Sequence, residues 1–258
     1  MKKRIVFYGG DSQVGTTMAA LAAAERLVRK GERVLFISAG TVPGNEYLYQ
    51  MVTASIDDLR LSVQENLLTA EELRQQLVES RGVDILPGVR SDGSGSRYRK
   101  DDILKICEAA KGDYDWILVD GGCGLPAGIT EAALHAAGQV VIVVSQQEKC
   151  LQRLKLRLPA LRQYLPPHTI YAVNKFSRSA ALYSEKELAE KLQCSLESMV
   201  LLPFIPYGWQ TEAERRTLLR YRSFRKGMDR LLKQLERGWE KDEREGDEPA
   251  DGGAGTEV

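Results

Sequence analysis

The eight residues GDSQVGTT, Gly10 to Thr17, constrain this chain more than any other stretch. They follow the apolar run IVFY (Ile5 to Tyr8) and lead into an alanine-rich segment, Thr16 to Lys30, closed by Gly31. A glycine-bearing connection from a buried strand to a helix is how a phosphate-binding loop, G-x-x-x-x-G-K-[ST], is built. Backbone N–H groups cradle the anion and the lysine neutralises it. Here Thr16 stands in the lysine position and Asp11 lies within the cradle. Two readings stay open: Gly10 and Gly15 either serve an anion site stripped of its cation or simply make a tight strand-to-helix turn.

Apolar runs and helical patterns then alternate. RVLFIS (Arg33 to Ser38), VDILPG (Val83 to Gly88), WILVD (Trp116 to Asp120), QVVIVVS (Gln139 to Ser145), IYAVN (Ile170 to Asn174) and VLLPFIP (Val200 to Pro206) read as strands covered on both faces. Ser55-Ile-Asp-Asp and Thr69-x-x-Glu72 read as helix starts, the second as a capping box, and a further helix runs through Ile103 and Ile106. This order predicts an α/β fold: a mostly parallel twisted sheet with helices on both faces. Ligands in such a fold bind at the carboxyl ends of the strands, where the loops after Tyr8, Ser38, Asp120 and Asn174 lie. We expect one domain over residues 1–238, including a basic helix over 211–238. An acidic, glycine-rich tail, 239–258, cannot bury enough apolar surface to order itself.

Bulk composition narrows the function. With 36 basic and 36 acidic residues the formal net charge is zero, so no global field draws the chain to a polyanion. Two histidines, His135 and His168, argue against a histidine-rich metal centre. The cysteines Cys107, Cys123, Cys150 and Cys194 are too dispersed for a C-x-x-C motif and read as free thiols. The opening MKKRIVFYGG is too short for a signal peptide, and no stretch reaches membrane-span length, so a cytoplasmic protein is expected.

GDSQVGTT, YDWILVDGGCGL, VVIVVSQQEKCLQRL, YAVNK and LLPFIP occur in that order between Lys3 and about Leu219. Together they resemble the ParA/MinD family of P-loop ATPases, which position plasmids, chromosomes and other cellular structures. The resemblance implies a P-loop NTPase architecture. It also implies a nucleotide site formed by Gly10, Asp11, Ser12, Gln13, Val14, Gly15, Thr16, Thr17, Asn174 (reading adenine) and Pro206, with Mg²⁺ at Thr17 and Asp120. From the residues alone, Asp120 and Asn174 could equally be turn formers.

The departures from the family pattern, K-G-G-x-G-K-[ST], are large. Asp11 replaces the first lysine, the one that reaches across a dimer to the partner's nucleotide. Ser12 and Gln13 replace the paired glycines, and Thr16 replaces the second lysine. Ser38-Ala39-Gly40 stands where the family shows D-x-D, whose acids help place Mg²⁺ and activate water. A charge-assisted hydrogen bond contributes roughly 1.5–3 kcal/mol, so two missing lysine contacts weaken triphosphate binding by about two to four powers of ten. Asp11 adds repulsion if its carboxylate faces phosphate. Lys175 and Arg90, next to strand ends, are the candidates for a compensating cation.

No catalytic residue is assigned. ATP and Mg²⁺ are expected to bind weakly or not at all, with little hydrolysis. The chain is expected to act as a localisation or partner-binding factor, a degenerate relative of the TadZ/CpaE kind that marks pilus assembly sites, with a homodimer in view. The alternative is an ATP-driven dimerisation switch that positions a chromosome, septum or pilus. An ATP-dependent ligase of the same superfamily lacks any supporting acid–base cluster. The basic segment Thr211 to Arg237 either packs on the sheet or meets anionic lipid or nucleic acid, and the acidic tail behind it opposes a membrane.

Overall fold

The computed structural model describes residues 3–43 and 53–247, with side chains up to residue 240. Eight strands form one sheet: β1 (Lys3–Gly9), β2 (Val34–Ser38), β3 (Val78–Ser80), β4 (Val83–Leu86), β5 (Trp116–Asp120), β6 (Gln139–Ser145), β7 (Ile170–Phe176) and β8 (Met199–Pro203). Their order is β3-β4-β2-β5-β1-β6-β7-β8, parallel throughout except that β3 runs antiparallel to β4. The helices are α1 (Thr16–Val28), α2 (Ile56–Gln64), α3 (Ala70–Gln75), α4 (Asp102–Ala109), α5 (Ile129–His135), α6 (Glu148–Leu161), α7 (Glu185–Leu192), α8 (Trp209–Ala213) and α9 (Arg222–Asp247).

The expected α/β class holds, and the physical reason is visible strand by strand. β2, β5 and β6 are buried at every position, as continuous apolar runs require when both faces are covered. The crossover from β1 to β2 moves one way across the sheet and that from β6 to β7 the other. Right-handed crossovers therefore put α1 and α6 on opposite faces. α1 and α9 pack against each other, as do α4 with α5 and α6 with α7. The reversal at β1 opens a crevice at its carboxyl end, where GDSQVGTT begins.

Several expectations are corrected. β3 escaped the reading because Val78 and Ser80 are only partly buried, Glu79 is exposed and the three residues carry no apolar run. The capping box belongs to Ser55, whose backbone amide is taken by Asp58, and not to Thr69. Thr69 does accept from the Glu72 amide, but the Glu72 carboxylate is spent on Ser62. The continuous helix expected over Thr211 to Arg237 is broken: α8 ends before Arg215, which sits at φ +52, and a short 3-10 turn at Leu218–Arg220 intervenes. Nor does the chain become irregular at residue 239, because α9 runs on to Asp247; the rest of the expected tail, 248–258, lies outside the described residues. Of the two readings of the basic segment, α9 takes the packed one: Phe224, Met228, Leu231, Leu232 and Leu235 are fully buried.

Candidate functional site

The carboxyl ends of β1, β5, β7 and β8 surround a cavity of about 980 Å³, at the upper end of small-ligand pockets. Asp11, Gln13, Gly15, Thr16 and Thr17 line it from the loop, Asp120, Gly122 and Cys123 from the end of β5, and Asn174 and Lys175 from β7. Pro203 to Trp209 close the far side, and Pro206 is among them as expected. Phe204, Tyr207 and Trp209 stand largely exposed at this rim. Gly10, Ser12 and Val14 do not line the cavity. A Cβ on Gly10 would meet Val144 Cγ1 at 2.9 Å, so that glycine serves packing on β6. Ser12 and Val14 face a smaller hollow of about 310 Å³ beside Ser145 and Lys149.

The loop is held in a defined shape by its own backbone angles and by β7. Gly15 has φ +88, and a Cβ there would stand 2.5 Å from Asn174 Nδ2. Gln13 holds φ +59 without being glycine, a conformation costing about 1 kcal/mol or more. Two side chains from β7 pin the loop: Asn174 Nδ2 donates to the Val14 carbonyl at 2.8 Å, and Lys175 Nζ to the Gln13 carbonyl at 2.7 Å. Asn174 lies within the strand at 2% exposure, so it is no turn former. Lys175 sits at φ +55 where the β7–β8 register shifts, a bulge that re-aims its side chain.

Thr17 Oγ1 donates to Asp120 Oδ2 at 2.5 Å, joining the first turn of α1 to the end of β5. Asp120 also accepts the Gly122 amide at 3.2 Å on its other oxygen, as a turn former does. Burial pushes the Asp120 carboxyl up, and its hydrogen bonds from Thr17 and Gly122 offset only part of this.

The repulsion expected of Asp11 depended on where its carboxylate faces, and that carboxylate is bonded to α6. Its carboxylate is 6% exposed and accepts from Arg153 Nη1 at 2.5 Å and from the Ser12 amide at 2.7 Å. Burial alone would raise this carboxyl. The Arg153 guanidinium and the Ser12 amide outweigh it and hold the group below the usual carboxylate range. The stability this pair lends is therefore present above the ordinary carboxylate pKa and is lost as pH falls through the lowered one. Arg90 is also corrected: it is committed to Asp58 and the Thr53 carbonyl, away from the cavity. Lys175 is the one cation lining the cavity among the described residues.

Arg153 and Arg157 were missed. Arg157 Nη1 donates to the Cys123 carbonyl at 2.6 Å and reaches the Gly10 carbonyl at 3.4 Å. The available signal was a pair of arginines four apart on the helix after β6, which share one helix face.

A magnesium nucleotide fits this site in shape. Thr17 and Asp120 are oxygen donors of the kind Mg²⁺ takes, and the α1 N-terminus offers the amides a helix leaves unpaired. The site is short of positive charge, since Thr16 is neutral and Lys175 already serves the loop.

No protein-family profile and no curated protein sequence matches the chain. Solved structures do. A ParA family ATPase from Chlorobium tepidum superposes with a TM-score of 0.75 at 14% identity, over 88% of this chain and 97% of that one. The septum site-determining protein MinD of Pyrococcus horikoshii, complexed with Mg-ADP, gives 0.71 at 18% identity over 92% and 96%. MinD in the MinC:MinD cell division complex of Aquifex aeolicus gives 0.71 at 19% over 92% and 96%. The chain has the fold of these ParA and MinD structures.

Proposed function

We propose that this chain is a ParA/MinD-like localisation or partner-binding factor that works with weak nucleotide binding or none and little hydrolysis. The observation that carries the reading is the charge of the cavity. Thr16 occupies the lysine position, Lys175 is the one lining cation among the described residues, and Asp11 is tied to α6. Phosphoryl transfer rests on positioned positive charge, and little of it faces this cavity. The Ser38-Ala39-Gly40 segment after β2 supplies no acid either, and Ser38 and Ala39 are buried.

The second reading, an ATP-driven dimerisation switch, draws its support from the Thr17–Asp120 pair and the intact cavity. One measurement separates the two: binding of a fluorescent ATP analogue with Mg²⁺, followed by oligomeric state with and without ATP. Affinity weaker than about 10 μM and an unchanged oligomeric state are expected. Tighter binding, beyond roughly −7 kcal/mol, with nucleotide-driven dimerisation would favour the switch.

A gain-of-function variant tests the charge argument. Thr16→Lys is expected to raise Mg²⁺-ATP affinity at least about tenfold, since one charge-assisted contact contributes roughly 1.5–3 kcal/mol. Asp11→Lys is not expected to add to it, because it would set a cation against Arg153. No gain from Thr16→Lys, read by the same fluorescence titration, would mean that the loop's shape as well as its charge excludes the triphosphate.

For partners, α9 offers an exposed stripe of Arg222, Lys226, Arg230, Lys233 and Arg237 at helical spacing. Asp229 is drawn away to Arg26 of α1 and Glu236 to Lys30 just beyond it. A polyanion such as nucleic acid suits this stripe better than a membrane, because the apolar face of α9 is already used on the core. The carrying of partners in the manner of MinD with MinC belongs to the same proposal.

A further inference from the structure

We propose that Arg153 and Arg157 of α6 are positioning residues that hold the GDSQVGTT loop and the loop after β5 in one arrangement without a bound anion. The inference rests on the reading above, because a face offered to a partner without nucleotide needs another agent to order it. In nucleotide switches that agent is the terminal phosphate with its metal, and the loops relax when it leaves. Here the guanidinium groups of one helix stand in its place.

The geometry is specific. Arg153 meets the Asp11 carboxylate at 2.5 Å, and the Ser12 amide closes on the same oxygen at 2.7 Å. One turn further along α6, Arg157 bridges the Cys123 carbonyl at 2.6 Å and the Gly10 carbonyl at 3.4 Å. A single helix face thus grips residues 10 and 11 of one loop and residue 123 of the other. Both bonds leave one nitrogen, Nη1, which the rigid guanidinium plane holds between the two carbonyls, whereas a lysine ammonium sits on a flexible stem. Asp11 could not stand at 6% exposure without such a partner. The absence of lysine from the loop and the acid at position 11 are two sides of one change: the loop's counter-cation lies on the α6 side, away from the ligand side. The end of β1 is also tied to the loop after β5, by the Gly9 amide to the Gly122 carbonyl at 2.7 Å and by the Tyr8 hydroxyl to the Gly124 carbonyl at 2.7 Å.

Amide hydrogen exchange on the full chain, free of nucleotide, tests the proposal. Protection at residues 10–13 and 121–124 close to that of the adjoining strand ends is the expected wild-type result, and freely exchanging loops would overturn it. Arg153→Met is expected to raise exchange at 10–13 about tenfold or more, and Arg157→Met to do so in both loops, with the centres of β1 and β6 unchanged. The reversed pair, Asp11→Arg with Arg153→Asp, is expected to restore protection at 10–13. An arginine that only filled space would gain nothing from reversal, and that outcome would count against the clamp. Arg157→Lys retains the charge and packing, so it bypasses any folding defect; it is expected to give an intermediate rise, and no rise would overturn the bridging role. Excess Mg²⁺-ATP separates the two readings. Tight binding with loop protection unchanged would remove the proposed function and leave the clamp, whereas loops protected only with ATP would remove the clamp.

Discussion

Replacing Phe224 with alanine is expected to lower stability by about 3–5 kcal/mol, the range for truncating a buried aromatic side chain. Phe224 is fully buried where α9 enters the core, and α9 packs along β8, β7 and α1. The fit is close. A Cβ on Gly227 would meet Leu202 Cδ2 at 3.0 Å, and one on Gly138 would meet the Trp239 ring at 2.4 Å. Against a typical domain stability of about 5–15 kcal/mol, such a loss is a large fraction of the whole. Urea denaturation followed by circular dichroism is the measurement, with a single cooperative transition moved to lower denaturant. A detachable anchor would behave otherwise: the core transition would stay in place and only helical signal would fray. That second outcome would show that α9 is not integral to the fold and would reopen the lipid-bound reading.

The helix that carries Phe224 also shows where sequence reasoning reaches and where it stops. Tyr221, Phe224, Met228, Leu231, Leu232 and Leu235 recur at helical spacing, so the buried face of α9 was legible. Its start was not. Thr217 is drawn into the interior, where its hydroxyl donates to Glu25 of α1 at 2.7 Å, and Arg215 adopts a left-handed backbone conformation. Glu25 lies 192 residues away in the chain, beyond the reach of local periodicity. The helix outlasts its apolar pattern because Glu, Lys and Arg are good helix formers and the docked turns have already met the cost of nucleation.

The candidate site divides in the same way. The strand–loop–helix order, the two glycines and the Thr17 and Asp120 positions could be read because spacing along the chain sets them. The fate of Asp11 could not, since it is decided by Arg153, 142 residues on, and by which way a side chain leaves the loop. Asn174 lines the cavity, and its amide is bonded to the Val14 carbonyl of the loop. A strand terminus shows in sequence; the hydrogen-bond partner chosen across the sheet does not.

That contact sets up the second large effect. Gly15→Ala is expected to destabilise the protein by about 2–4 kcal/mol, from two sources. An alanine at φ +88 carries left-handed strain of roughly 1–2 kcal/mol. Its Cβ would also stand 2.5 Å from Asn174 Nδ2, forcing that amide off the Val14 carbonyl and leaving buried polar groups unpaired for a further ~1–2 kcal/mol. A double-mutant cycle with Asn174→Ala separates the terms. With the amide already removed, Gly15→Ala should cost little beyond the strain, giving a coupling of about 1–2 kcal/mol in thermal or urea unfolding. Strict additivity would mean that the close approach is not what the glycine is for. The distinction bears on function. A glycine kept only so that phosphate can approach the backbone would show its loss in ligand affinity, with stability hardly changed. A glycine kept so that β7 can pin the loop shows it in stability with no ligand present. The second behaviour is what a loop held in place by the protein's own side chains requires.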